Sequence, residues 1–196
     1  MPHDIILRFH PLEPYYPNIS DYRVECTMCT HPITKNGENY TATEYAFTYE
    51  ANAAIACCWS AFPTSTCLGY HLGDLEKIII LDDQFGNHCF VFFKAHGTGE
   101  GMWLPYYECE INENQEIIFY VARGSHGFYP HAGVYWRILG IANDLCSDEG
   151  EQYRIKVVGQ HTEYYSPTVD SITPWQRFLI PFSLPIINER RSNRLT

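Results

Sequence analysis

Read as apolar against polar positions, the chain is a series of short β-type runs rather than helical stretches. The runs are "DIILRF" (4–9), "YRVECTM" (22–28), "YTATEYAFTYE" (40–50), "EKIIILDD" (76–83), "HCFVFFKA" (88–95), "EIIFYVAR" (116–123), "VYWRIL" (134–139) and "YRIKVVG" (153–159). They are rich in β-branched and aromatic residues, and Gly, Pro, Asn and Asp punctuate the gaps where the backbone must turn. This rhythm predicts an all-β fold, mostly an antiparallel β-sandwich. Only 51–61 and 142–152 carry patterns compatible with short helices. The clearest unit is a hairpin over 76–95, with "QFGN" (84–87) as its turn. Its arms are apolar at successive positions, which predicts a place at the centre of a sheet covered on both faces.

The period of two also places chemistry at the start of "YHLGDLEKIIIL" (70–81). Side chains two apart share a strand face, so Asp74 and Glu76 point inward with Ile78 and Ile80. His71 stands three residues before Asp74, and Gly73 permits a bend between them. Carboxylates at the mouth of a buried strand need a partner: a cation, a basic side chain or backbone donors. One reading makes His71, Asp74 and Glu76 the ligands of a hard divalent cation, Ca²⁺ or Mg²⁺. The other is a polar turn whose carboxylates accept backbone or arginine hydrogen bonds. A second group gathers nearby. His96 closes the hairpin and falls at the same end as Glu76, while Arg123, Ser125, His126, Tyr129 and His131 follow in "ARGSHGFYPH" (122–131). With His71 these form a candidate site cluster with Arg123 as counter-charge, or a set of histidines that cap loops. Gly-Ser-His-Gly is not a nucleophile elbow, so no catalytic residue is assigned.

At 196 residues the chain is expected to fold as one domain, residues 1–196. Its net charge of −10 repels phosphate backbones, which argues against nucleic acid as a partner. The exception is the basic tail "ERRSNRLT" (189–196), whose Arg190, Arg191 and Arg194 are candidate partner-binding residues. The most apolar stretch, 51–62, is too short to span a bilayer, so no transmembrane segment is expected. "MPHDIILRFH" lacks the layout of a secretory signal, and the expected location is the cytoplasm or an intracellular assembly. Eight cysteines are too few for a disulfide scaffold and read as small buried hydrophobes. Cys26-x-x-Cys29 with His31 is half of a zinc knuckle, but the adjacent Cys57 and Cys58 cannot supply the other half, so zinc is not expected. The sequons at Asn18 and Asn39 matter only on a secretory route, and "SDEGE" (147–151) reads as a solvated turn.

Three blocks in order, "HLGDLEKIIILDD" (71–83), "VFFKAHG" (91–97) and "YVARGSHGFYPHAG" (120–133), resemble the vacuolar protein sorting-associated protein 62 family. The resemblance covers the central third of the chain and speaks to fold more than to activity. The His-x-x-Asp-x-Glu core is also similar to that of the necrosis- and ethylene-inducing-like cytolysins, which are β-sandwiches. That likeness implies a divalent cation at His71, Asp74 and Glu76, used against lipid head groups. Against that pattern, Tyr70 replaces a Gly, Gly73 a His and Leu75 a Trp, and no Asp or Glu lies between Glu50 and Asp74.

The expectation that follows is a non-enzymatic β-sandwich acting as a binding or structural component of a larger assembly, with other protein subunits as partners. The alternative is a divalent-cation-dependent module for lipid head groups or glycans with a cytolysin-like fold. A metal-dependent hydrolase ranks third.

Overall fold

The computed structural model describes residues 5–13, 24–35, 37–52, 71–96, 100–135 and 143–161. Strand β1 (Ile5–Phe9) is followed by five strands, β2 (Glu25–Lys35), β3 (Glu38–Asn52), β4 (His71–Asp83), β5 (His88–His96) and β6 (Glu100–Pro105). Six short ones come next: β7 (Ile117–Val121), β8 (Phe128–Tyr129), β9 (Gly133–Tyr135), β10 (Asp144–Cys146), β11 (Gln152–Ile155) and β12 (Val157–Gln160). A single 3-10 turn, Tyr106–Glu108, is the one helical element among the described residues. No helix there is long and apolar enough to cross a membrane.

The strands β2 to β6 form an antiparallel meander, and β12 joins it parallel to β2, giving the order β12-β2-β3-β4-β5-β6. A second sheet has the order β11-β1-β7-β8, with β1 and β7 parallel, and β9 pairs with β10 in a small ribbon. The core lies between the two large sheets, as expected of a sandwich. On β3, Tyr45, Phe47 and Tyr49 face inward, joined by Ile78 and Ile80 of β4 and Val91 and Phe93 of β5. Opposite them stand Ile5, Leu7 and Phe9 of β1 and Ile117, Phe119 and Val121 of β7. The alternate residues of the hairpin, Ile79, Leu81 and Phe92, form a further buried cluster with Ala42 on the other face of the sheet. Both faces of the 76–95 hairpin are therefore covered, as its continuous apolar pattern predicts. Asp83 sets its turn: one carboxylate oxygen accepts the N–H groups of Phe85 and Asn87, both at 2.8 Å, and Gly86 takes φ +84°.

Several boundaries differ from the sequence pattern, each for a visible reason. Strand β4 begins at His71, because Asn52 to Tyr40 of β3 pair with it throughout except at Gly73. Of the 142–152 stretch, the described residues 143–152 hold no helix: β10 pairs with β9, and a bend at Asp148–Gly150 packs against β1. A Cβ on Gly150 would lie 1.5 Å from the carbonyl oxygen of Phe9, so only glycine lets the turn approach so closely. The 153–159 run is two strands, because the chain leaves one sheet for the other at Lys156. Of the other helical candidate, 51–61, Ala51 and Asn52 belong to β3 and the remainder lies outside the described residues. Among the described residues Cys26, Cys29, Cys89, Cys109 and Cys146 are free thiols. Burial pushes the thiols of Cys26 and Cys109 up to about 12, as befits cysteines used as packing groups.

Candidate functional site

The inward alternation of β4 puts Asp74 and Glu76 inside the sandwich, 5% and 3% exposed. The register of β3 on β4 sets Tyr49 opposite Asp74 and Phe47 opposite Glu76. The remaining partners come from the turn between β7 and β8. There Ala122 donates its N–H to the Gly127 carbonyl (2.9 Å), and His126 donates its N–H to the Ala122 carbonyl (3.0 Å). Gly124 at φ +73° and His126 at φ +59° both occupy the left-handed region. For a histidine that backbone costs roughly 1–2 kcal/mol, so the surroundings must hold it there.

They do so from four sides. The imidazole of His126, fully buried, stacks on Tyr49 with centroids 4.2 Å apart and planes 9° from parallel. Its Nδ1 lies 3.1 Å from Asp74 Oδ2, and its Nε2 lies 3.9 Å from Glu13 Oε1. Glu13 Oε2 accepts the Gly124 N–H at 2.7 Å. Asn52 Nδ2 donates to Asp74 Oδ2 (3.1 Å) and to the Ser125 carbonyl (3.2 Å), tying the end of β3 to the same turn. At the edge of the group Lys94 Nζ stands 3.9 Å from Glu76 Oε2. Burial, with the Glu76 and Asp74 carboxylates beside it, pushes the Tyr49 phenol well up, so it stays a neutral hydroxyl.

Ser125 and Tyr129 face a second buried carboxylate. Ser125 Oγ donates to Asp144 Oδ1 (2.6 Å) and the Tyr129 hydroxyl donates to Asp144 Oδ2 (2.5 Å), with Asp144 only 1% exposed. This anchors β10 beneath the β7–β8 turn. Bonds to charged groups of this kind contribute roughly 1.5–3 kcal/mol each, and leaving either partner unmet costs a similar amount.

The sequence candidates thus part company. Asp74 and His126 meet, Glu76 lies buried two residues along β4 and 3.9 Å from Lys94 Nζ, and Ser125 and Tyr129 meet on Asp144. His71 is exposed at the start of β4, so the imidazole and the two carboxylates do not converge on one point. Gly73 does depart from regular strand, at φ +70° and with no partner in the β3 ladder, yet His71 beyond it stays exposed opposite Asn52. His131, half-exposed, belongs to a rim network instead, 3.9 Å from Glu110 Oε2. His131, the Tyr120 hydroxyl and the Arg8 guanidinium together hold the Glu110 carboxyl below its ordinary range. Arg123 donates its backbone N–H to Leu145, and burial followed by its positive charge pushes the nearby His10 imidazole down. His96 ends β5 at the same end of the hairpin as Glu76, as the strand pairing requires. Arg190, Arg191 and Arg194 lie outside the described residues.

Glu13, Asn52 and Asp144 complete these networks without any sequence signal of their own, and Tyr49 joins them. Asp144 sits in a stretch that reads as helical, and Glu13 in an irregular segment after β1. Tyr49 could have been found from the alternation Tyr45, Phe47, Tyr49, which marks the inner face of β3. The Cys26-x-x-Cys29 pair is separated by the pleat: Cys26 packs in the core, whereas Cys29 faces outward opposite Glu44. Comparison of the chain with family models, with curated proteins and with solved structures finds no match.

Proposed function

We propose that the chain is a non-enzymatic β-sandwich that serves as a binding or structural component of a larger protein assembly. One observation carries this reading. The side chains best suited to chemistry, Asp74, Glu76, Glu13, His126 and Asp144, are each under 9% exposed: Asp74 faces His126, Glu13 accepts the Gly124 N–H, Asp144 accepts the Ser125 and Tyr129 hydroxyls, and Glu76 lies 3.9 Å from Lys94 Nζ. A catalyst or a ligand site must present such groups to an incoming molecule, whereas a clasp must hide them. The start of β4 offers the opposite chemistry. Leu72 and Leu75 are 75% and 49% exposed beside His71, apolar surface of the kind a protein partner covers. The cation-dependent reading draws less support, since His71 stands apart from the two carboxylates.

The test is sedimentation of the full chain in an extract of its source cells. The expected result is migration in a particle larger than the monomer. Leu72→Glu/Leu75→Glu should release it to monomer size while its melting temperature is unchanged. A wild-type chain that sediments as a monomer in that extract overturns the reading.

A further inference from the structure

We propose that Cys29, Glu44 and His161 form a zinc-binding site on the outer face of the six-stranded sheet. One ligand atom from each residue lies within 4.8 Å of the other two. Neighbouring strands supply them. Cys29 and Glu44 are directly opposite in the β2–β3 ladder. His161 follows β12, the parallel neighbour of β2, and its N–H donates to the Met28 carbonyl at 3.1 Å. The three backbones are thus fixed by sheet hydrogen bonds, which is the rigid support a metal site needs.

The donor set selects the ion. A thiolate, an imidazole and a carboxylate together suit a borderline-soft metal, and the sulfur argues against Ca²⁺ or Mg²⁺. Ligand atoms around a tetrahedral zinc ion stand roughly 3.3–3.7 Å apart, as bonds of about 2.0–2.3 Å require. His161 Nε2 and Glu44 Oε1 are already 3.1 Å apart, and Cys29 Sγ, within 4.8 Å of both, closes the set by moving in by up to about 1 Å. The outer contacts agree. Thr27 Oγ1 lies 3.0 Å from His161 Nδ1, so with metal bound it can accept the Nδ1 proton while the Nε2 lone pair, now 3.1 Å from Glu44 Oε1, turns to the ion. Glu44 is fully buried, His161 is one-fifth exposed, and the site therefore opens to solvent on the His161 side. Lys77 Nζ, 2.8 Å from Glu44 Oε1, competes with the ion for that oxygen and would turn toward water as metal enters. Binding converts the Cys29 thiol to a thiolate and releases its proton to solvent. Three protein ligands leave a fourth position for water or a partner's side chain.

The test uses the full chain stripped of metal, then titrated with Zn²⁺ against a chromophoric chelator and, in parallel, with Co²⁺ as a coloured probe. The expected result is one Zn²⁺ per chain at micromolar or lower concentration, and a thiolate-to-cobalt absorption band. Cys29→Ser and His161→Gln should each weaken binding by about tenfold or more, while Cys89→Ser leaves it unchanged. Lys77→Met should tighten it by removing the competing cation. Absence of micromolar binding in the wild type overturns the proposal, as does a Cys29→Ser chain that binds as tightly as wild type. Should Cys29→Ser fail to fold, a wild-type cobalt spectrum without the thiolate band overturns it equally.

Discussion

The inner face of β4 and the outer face of β2 and β3 both gather a histidine with carboxylates, but in opposite settings. Around His126 the carboxylates of Asp74 and Glu13 approach from different segments, the Asn52 amide donates to the first and the Gly124 N–H to the second, and the imidazole has no exposure. Around His161 the imidazole is reachable from solvent, a thiol replaces one oxygen, and a single lysine shares Glu44. Residue type alone therefore does not distinguish a clasp from a binding site. What distinguishes them is whether the donors are consumed within the fold and whether a small ion can reach them.

The largest expected effect lies at the clasp. Asp74→Leu removes the carboxylate that faces both His126 and the Asn52 amide and should cost about 3–5 kcal/mol, since two buried polar groups each lose that partner at about 1–3 kcal/mol. At roughly 2–4 °C per kcal/mol for a chain of this size, that is a fall of about 6–20 °C in calorimetric melting temperature. A fall of only a degree or two would mean that the inner network does not hold the fold. Next comes Gly150→Ala, which places a Cβ against the Phe9 carbonyl. Crowding of this kind costs about 1–3 kcal/mol, and denaturant unfolding would register it. An unchanged midpoint would show that the Asp148–Gly150 turn does not press on β1.

How much of this contrast is readable before the fold is known depends on the residue. The inward direction of Asp74 and Glu76 follows from the period of two running into Ile78 and Ile80, and the covered hairpin follows from its unbroken apolar arms. The quoted blocks 71–83, 91–97 and 120–133 each contribute to the inner group, through Asp74 and Glu76, Lys94, and Ser125 and His126. Their proximity in space is not written in any one of them. Glu13, Asn52 and Asp144 were illegible because they enter from irregular segments or strand ends, where no periodicity fixes direction. The Cys29–Glu44 pair was hidden for another reason: it depends on the register of β2 on β3, and one-residue slips change every facing pair. His71 is misleading because the irregularity at Gly73, φ +70°, does not carry it inward: it pairs with Asn52 and stays exposed.

Smaller effects refine the comparison. At the outer cluster, Cys29→Ser measured in EDTA should change stability by only about 1 kcal/mol, since a hydroxyl can replace the thiol's weak bonding. A loss approaching that of Asp74→Leu would make the outer cluster a clasp as well. The smallest effect is in pH dependence. Burial and the charge of Arg123 hold the His10 imidazole below 6.5, its ordinary value, although Glu149 opposes them. Between those two values the unfolded chain binds the extra proton, so stability is complete above 6.5 and declines as pH falls toward the folded value. His10→Gln should flatten that decline in melts taken across pH 5–7. An unchanged slope would remove His10 as its source.

The most direct measurement is amide hydrogen exchange of the full chain at the β7–β8 turn. It follows the Gly124 N–H, which is held by Glu13, and the His126 N–H, which is held by Ala122. A sealed clasp opens only when the sandwich unfolds, so the expected result is protection at these amides equal to that of β4 and β5. Fast exchange at the turn while β4 and β5 stay protected would contradict this. It would mean that Asp74 and His126 are opened to solvent in the folded protein, as an active or ligand-binding site requires.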